Sequence, residues 1–495
     1  MSSLFKDLII FEMANNHQGD ISHGIAIINK LGEVAAKYNI NAAVKFQYRD
    51  LDTMIHPEFK DRTDVKHIPR FMSTRLSSDQ FYQLVCAAKN AGLKTMCTPF
   101  DEASVDVIMD HGIEIIKVAS CSAIDWPLLE KISETQKPVI ISTGGKTFKE
   151  MDNIYSFLTH RNVDFAMLHC VGMYPVKEED VQLNCMLRMK ERYHGVTVGY
   201  SGHEDPKDYT ICKMAVAMGA EILERHVGLE TDTIKLNAYS TDVNEVDGWI
   251  EAILSARKIC GNRNVKNISP AELQSMNELA RGCYAAAPIK AGQVINRSDV
   301  FFAMPCEAGQ TTSGVFQDGM IASKDYAVNE GLVEQRKVTV INDTRSLIHD
   351  IRGMLYEAKI VVGNEFELEL SHHYGMEHFR HYGAAIINII NREYCKKLIV
   401  ILPGQQHPNH YHKVKEESFQ VLHGTLTLTL DGVTRDVKAG EVVTVERNME
   451  HSFTSVDGCI FEEVSTTHVK NDSYYDDKKI AALDLMQRKT LLESW

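Results

Sequence analysis

Residues 196–228 read VTVGYSGHEDPKDYTICKMAVAMGAEILERHVG. Two apolar runs, Val196–Gly202 and Glu221–Val227, carry polar residues at their C-terminal ends: His203 just after the first, Glu224 and His226 within the second. Between them Pro206–Met218 has helical apolar spacing, and Gly219 is the stop signal. Strand, helix and strand at this spacing make a parallel β–α unit. The unit recurs upstream. Leu8–Ala14 is followed by Asn15, Asn16 and His17; Ala43–Gln47 contains Lys45; Lys94–Phe100 contains Thr98, with Asp101 next. Ile115–Ser120 contains Lys117, Val139–Gly145 contains Ser142, and Asp164–Cys170 contains His169. Eight units predict an α/β TIM (β/α)8 barrel, whose chemistry sits at the C-terminal strand ends. Helices are expected at His23–Tyr38, Asp79–Ala91, Pro127–Gln136, Phe148–His160, Leu183–Tyr193 and Glu245–Cys260, with Ser78 or Asp79 as an N-cap and Gly92 as a C′ residue.

A chain of 495 residues exceeds one domain. The barrel is assigned to 1–268, its end marked by the polar stretch GNRNVKNIS (Gly261–Ser269). A small, mostly-β domain follows at 269–338, with short strands between the turns PIKAG, NRSD, QDG and VNEG. The remainder, 339–495, opens with a helix at Thr344–Glu357. Its evenly spaced runs, Phe366–Leu370, Ala384–Ile390, Leu398–Leu402, Phe419–Leu422, Thr425–Leu430, Val442–Val445 and Cys459–Val464, predict an all-β barrel. The net charge of −14 argues against nucleic acid or an anionic membrane as the main partner. An anionic substrate must therefore be held by local cations, a metal or backbone N–H groups. Of the eleven cysteines, Cys97, Cys170 and Cys459 lie in apolar runs and are expected to be buried, reduced thiols. The opening MSSLFKDLII has no signal-peptide h-region, and no apolar run approaches the roughly 20 residues of a spanning helix. A cytoplasmic protein is expected.

His203 and His226 end neighbouring strands and can share one divalent metal, or they are two unrelated polar histidines. The surrounding motifs are FEMANNHQGD (Phe11–Asp20), KFQ (Lys45–Gln47), TPFD (Thr98–Asp101), IKVASC (Ile116–Cys121), STGG (Ser142–Gly145), LHCVGMYP (Leu168–Pro175), GYSGHE (Gly199–Glu204) and LERHVG (Leu223–Gly228). In this order they resemble the sialic acid synthase family. RGCYAAAPIKAGQVI (Arg281–Ile295) resembles the start of that family's antifreeze-like (SAF) domain. The resemblance implies condensation of phosphoenolpyruvate with an aldose to a 2-keto-3-deoxy sugar acid, with phosphate released. It places a divalent metal, Mn or Mg, on His203 and His226. Lys45, Thr98, Lys117, Ser120, Ser142 and Ser201 fall where the family binds phosphoenolpyruvate. Gln47 and Tyr174 join the substrate-binding set. Glu12 falls where a carboxylate acts near the attacking water or sugar, and Glu224 is a further catalytic candidate. A homodimer with domain exchange is also implied.

Taken alone, Lys117 is open to two other readings, a barrel-core lysine or the Schiff-base lysine of a lyase. Three departures concern the sugar half. TDTIKLNAYSTD (Thr231–Asp242) has Leu236, then Asn237, where the family has an aspartate four residues before Ser240. Gly172 stands where Asn or Ser precedes the YP pair. Met304 stands where an arginine reaches the acceptor's N-acyl group. An acceptor other than N-acetylmannosamine is expected.

In GQQHPNHYHKVKEESFQVLHG (Gly404–Gly424), His410 and His412 lie at i and i+2 and face one side if extended. Glu417 comes from the next strand and His451 from a later hairpin. Three His and one Glu suit Mn, Fe, Ni, Zn or Co with open positions. The spacing is that of the first cupin motif. Gly440 and His451 match the second, with Glu446, Asn448 and Ser455 at altered positions. FEEVSTTHVKNDSYYDD (Phe461–Asp477) is similar to cupins that isomerise free sugars, such as lyxose isomerase, which makes Glu463 an acid–base candidate. The domain is read as a sugar isomerase or epimerase feeding the synthase, or as a non-catalytic sugar sensor or dimerisation module.

Overall fold

The computed structural model describes residues 4–262, 266–335, 340–363 and 365–493. They fall into two compact units, Met1–Asn267 and Ile268–Trp495.

In the first unit eight strands are parallel, each to the next: β1 (Ile9–Glu12), β2 (Ala42–Tyr48), β3 (Lys94–Pro99), β4 (Ile115–Val118), β5 (Val139–Ser142), β6 (Phe165–Cys170), β7 (Thr197–Gly202) and β8 (Leu223–Gly228). β1 also pairs β8, with Glu12 opposite His226, so the sheet closes into a barrel. Strand periodicity divides the side chains into two sets. Ile9, Phe11, Val44, Phe46, Ile116, Val118 and Ile141 pack outward with the helices into one large core. Ile10, Ala43, Met96, Ile115, Ile140, Ala166, Leu168 and Ile222 form a separate cluster that fills the barrel interior. Two residues further along six of the interior rows the chemistry turns polar: Ile10 leads to Glu12, Ala43 to Lys45 and Gln47, Met96 to Thr98, Ile115 to Lys117, Ile140 to Ser142, and Ile222 to Glu224 and His226. An apolar plug thus supports a charged rim at the C-terminal end.

The helices Ile21–Tyr38, Phe148–His160 and Val246–Cys260 match expectation closely. The N-cap of the helix Ser78–Asn90 does not: it is Ser77, in place of Ser78 or Asp79. Ser77 Oγ accepts from Gln80 N at 3.2 Å, and Gln80 Oε1 accepts from Ser77 N at 2.8 Å, a complete capping box. Gly92 and Gly219 take the expected left-handed C′ positions, with φ of +74° and +84°. A helix at Glu102–Asp110 was not expected. Asp101, read as a strand-end reactive residue, is its N-cap and accepts from Ser104 N at 2.8 Å. No helix of the described residues is long and apolar enough to cross a membrane.

In the second unit, Gly282–Ala285 pairs Val300–Ala303 and Val294–Ile295 pairs Met320–Ile321, both antiparallel. The expected boundary at 338/339 lies outside the described residues. The lead-in helix is longer than expected, Val340–Glu357. After it comes a curled antiparallel sheet around Ile399, Ile401, Phe419, Val421, Leu428, Phe453 and Phe461. The two strands expected at Phe419–Leu422 and Thr425–Leu430 are one, Glu417–Leu430, with a register shift between Val421 and His423. Five strands of this sheet were not expected: Gln406–Tyr411, Val433–Lys438, His451–Thr454, Tyr474–Tyr475 and Lys489–Leu492. Cys97, Cys170 and Cys459 are buried free thiols.

Candidate functional site

The barrel rim is organised by one ammonium group. Lys45, on β2, lies between Glu12 on β1 and Glu224 on β8, with Nζ 2.8 Å from an oxygen of each. All three side chains are buried. Glu12 accepts from Gln47 Nε2 at 3.1 Å and from the backbone N–H of Ala14 at 2.7 Å. Glu224 Oε1 accepts from Ser201 Oγ at 2.8 Å, and Lys117 Nζ stands 3.8 Å from it. Lys117 donates to Ser142 Oγ at 2.6 Å. Ser120, in the turn after β4, accepts from Gly144 N at 2.9 Å, which ties the STGG turn to the β4 end. Thr98 is buried at the end of β3, in register with Gln47.

Burial depresses the Lys45 ammonium, but Glu12 and Glu224 outweigh it, and the net shift is upward. Lys117 lacks that double support. Burial takes it down to about 8 despite Glu224. For Glu224, burial favours the neutral form, but Lys117, Lys45 and Ser201 overcome it and hold the carboxyl low. Its Oε2 is buried without a partner. One strong cation, one labile cation and an incompletely bonded carboxylate therefore share a pocket.

His203 and His226 stand beside this network with ring centroids 5.4 Å apart. His203 Nδ1 donates to Val171 O at 3.1 Å, which leaves Nε2 as the nitrogen with a lone pair. Burial, then His226, holds His203 at about 4; burial, then Lys45, holds His226 at about 3. Two neutral imidazoles at this separation fit a divalent ion that keeps open positions. Tyr174 lies over His203 at 4.1 Å, and Tyr239 faces His226 at 5.1 Å and Tyr174 at 5.3 Å. Tyr239 was missed in the sequence; the only cue was its place beside Ser240, whose Oγ accepts from Asn16 Nδ2 at 3.2 Å. Leu236 packs on Gly228, at the end of β8.

Other strand-end residues are structural. His17 Nδ1 accepts from Gly19 N at 3.0 Å, and Asn16 Nδ2 donates to Val227 O at 2.8 Å. His169 Nε2 bonds Val181 O at 2.6 Å.

In the second unit His410, His412 and His451 converge, their ligand atoms all within 4.8 Å of one another. The Nδ1 of each meets a backbone carbonyl: Pro408 O at 3.1 Å, Asp472 O at 2.6 Å and Met449 O at 3.1 Å respectively. Only an N–H can satisfy a carbonyl, so all three Nε2 atoms carry lone pairs. Glu417 joins them, with its oxygens 3.5 Å from His412 Nε2 and 3.3 Å from His451 Nε2. His412 Nε2, His451 Nε2 and Glu417 Oε2 are buried without hydrogen-bond partners. Convergent orphaned donor atoms of this kind fit a divalent metal. The sequence reading missed Lys415, whose buried Nζ contacts Glu417 Oε1 and donates to Glu463 Oε1 at 3.0 Å. Glu463 also has Lys397 at 3.4 Å. His373 and His407 were missed as well; their Nε2 atoms are 3.2 Å apart beside His410.

Residues 33–265 match the NeuB family model and residues 397–459 the Cupin domain model. An uncharacterized protein of Methanocaldococcus jannaschii is 30% identical over 299 residues, covering 60% of this chain and 84% of that protein. The N,N'-diacetyllegionaminic acid synthase of Campylobacter jejuni is 27% identical over 337 residues, covering 66% and 98%. Spore coat polysaccharide biosynthesis protein E of Chromobacterium violaceum, a crystal structure, is 42% identical with a TM-score of 0.63, covering 66% of this chain and 97% of that one.

Proposed function

As the chain belongs to the NeuB family and carries a cupin domain, we propose that its barrel condenses phosphoenolpyruvate with an aldose, giving a 2-keto-3-deoxy sugar acid of the nonulosonate type and inorganic phosphate. The observation that carries this reading is the Glu12–Lys45–Glu224 bridge with Lys117–Ser142 beside it, at the mouth of the barrel and next to two neutral imidazoles. It supplies cations for an anionic substrate and carboxylates for proton transfer in one place.

Lys117, Ser142, Ser120 and Thr98 hold the phosphate and carboxylate of phosphoenolpyruvate, with Lys45 and Ser201 beside them. Gln47 and Tyr174 orient the sugar so that the enol C3 faces its aldehyde carbon. His203 and His226 would hold a divalent ion, Mn or Mg, whose Lewis acidity polarises the aldehyde. A C–C bond forms from C3 to the aldehyde carbon as the C2=C3 π bond is spent. Water adds at C2, one proton passing to Glu12 and on to the former aldehyde oxygen, which becomes a hydroxyl; the C2–O bond to phosphate then breaks, the remaining hydroxyl proton leaves with phosphate, and C2 becomes the ketone. Lys45 bridges Glu12 and Glu224, and the developing positive character at C2 meets the carboxylate of Glu224.

The reading extends to three parts at 1–268, 269–338 and 339–495, to a cytoplasmic homodimer with exchanged antifreeze-like domains, and to a metal, Mn, Fe, Ni, Zn or Co, on His410, His412, Glu417 and His451. There the cupin isomerises or epimerises a free sugar, with Lys415 and Glu463 moving the proton. A sensing role is favoured by one observation: Glu463 is already held by two lysines. A Schiff-base lyase is favoured by the depressed Lys117 ammonium.

Phosphoenolpyruvate carrying ¹⁸O in its bridging position tests the barrel chemistry. Water addition at C2 sends the label into inorganic phosphate. Label retained on the carbon product, or a protein adduct trapped by borohydride, would overturn it in favour of phosphate hydrolysis or the lyase.

A further inference from the structure

Arg49 follows β2 and belongs to none of the roles above. Its guanidinium lies between two phenyl rings, 4.1 Å from the centroid of Phe71 and 3.8 Å from that of Phe100. Nη2 donates to Gln47 Oε1 at 2.7 Å, and Gln47 in turn donates to Glu12. Its Nε is buried without a partner, and no carboxylate forms an ion pair with it among the described residues. The neighbouring arginines differ. Arg75 is paired with both oxygens of Asp52, and Arg70 donates to Gln18 Oε1 and Asn15 O.

Arg49 also lines a cavity of about 660 Å³, shared with Asp50, Arg75, Ser77, Ser78 and Ser104; Asp50 Oδ2 accepts from Thr53 Oγ1 at 2.7 Å. A narrower pocket of about 30 Å³ runs from Arg49 to Gln47 and Asn15. Glu12 and Asp101 act on this guanidinium only from a distance, and a half-buried cation with no ion-pair partner among the described residues gains when a ligand brings the charge into contact. Two rings and the bond to Gln47 hold the guanidinium in place, so its remaining N–H groups are preorganised for an anionic oxygen. In a chain of net charge −14, such a half-buried cation is a local device.

We propose that Arg49 receives an anionic oxygen group, a phosphate ester or a carboxylate, carried by the acceptor sugar, at the side chains the two pockets share, Arg49, Arg75, Leu76 and Phe81. The inference rests on the synthase reading and names the acceptor class: an aldose charged at the end remote from its aldehyde. Phosphoenolpyruvate is the less suitable occupant, because its anions are met by Lys45, Lys117 and the serines at the barrel axis.

Calorimetric binding separates this inference from the condensation itself. The probes are mannose, mannose 6-phosphate and mannuronate, arabinose and arabinose 5-phosphate, and phosphoenolpyruvate, each with the full chain and with Arg49→Met and Arg49→Lys. At least one charged sugar should bind roughly tenfold to a hundredfold more tightly than its neutral parent, the scale of a charge-assisted contact. Arg49→Met should erase that ratio, Arg49→Lys should keep part of it, and the affinity for phosphoenolpyruvate should not move. Phosphate against carboxylate is read from the two kinds of charged sugar. Equal binding of charged and neutral sugars, or a loss in Arg49→Met that falls on phosphoenolpyruvate or on all sugars alike, overturns the proposal. Arg49-dependent discrimination without any phosphate release in turnover assays sustains it and removes the synthase reading instead.

Discussion

Lys117 Nζ donates to Ser142 Oγ across the β4–β5 boundary at 2.6 Å, and this bond joins a buried ammonium of depressed pKa to the start of the STGG turn. Burial lowers Lys117 to about 8, so it is charged at pH 7 and loses its proton as pH rises through that value. The half-saturation concentration for phosphoenolpyruvate should therefore rise between pH 7 and 9, while kcat changes less. Lys117→Arg, which keeps its charge over that range, should flatten the profile. Initial rates at several pH values check this, and a flat wild-type profile would count against Lys117 as an anion ligand.

His203→Ala and His226→Ala should each abolish phosphate release while the fold persists. The imidazoles sit on β-strand ends above an intact apolar plug, so their removal leaves the barrel core untouched. Far-UV circular dichroism and phosphate release read the two effects separately. Retention of most metal-stimulated turnover by either variant would remove the imidazoles from the reaction.

Lys45→Ala tests a different relationship. From sequence alone it should mainly weaken phosphoenolpyruvate. The bridge shows that it also strands two buried carboxylates, and breaking a buried pair on one side costs about 3–5 kcal/mol. Lys45→Ala should lower the urea midpoint clearly more than Lys117→Ala, whose nearest carboxylate oxygen is 3.8 Å away. Adding Glu12→Gln to Lys45→Ala should recover part of the loss. Equal midpoints for the two lysine variants would mean that the bridge contributes nothing to stability.

For the cupin, His412→Ala and His451→Ala in the full chain should each lose one equivalent of bound divalent metal, and cobalt loaded at the site should change its visible spectrum in Glu417→Gln. With Mn²⁺ bound, a free aldose should exchange its C2 proton with solvent deuterium, and Glu463→Gln should stop it. No exchange across pentoses, hexoses and their amino or deoxy forms, with metal still bound, identifies a sensor.

The barrel was legible because interior rows change from apolar to polar at one end, which a period of two exposes in Ile10–Glu12 and Ile222–Glu224–His226. The helix Glu102–Asp110 was not, because Asp101 reads equally as a reactive strand end and as an N-cap. Strand Gln406–Tyr411 has no aliphatic alternation, since its two buried side chains, His407 and His410, join a histidine cluster in place of an apolar core. Lys415 and Arg49 escaped for a related reason: a long cation two residues from a motif looks solvated until the fold shows what it touches or lacks.

N-acetylmannosamine should not be the best acceptor, because the exposed Met304 cannot donate hydrogen bonds to an N-acyl group. An acceptor panel with N-acetylmannosamine ranked first would contradict this.

The central claim is met most directly by phosphate release from phosphoenolpyruvate across a panel of neutral and charged aldoses, with the product weighed by mass spectrometry. The account predicts release only when both substrates and a divalent metal are present, and a product whose mass equals the aldose plus phosphoenolpyruvate plus water, less phosphoric acid. Release that is indifferent to every aldose, or a product lacking the three added carbons, would contradict it.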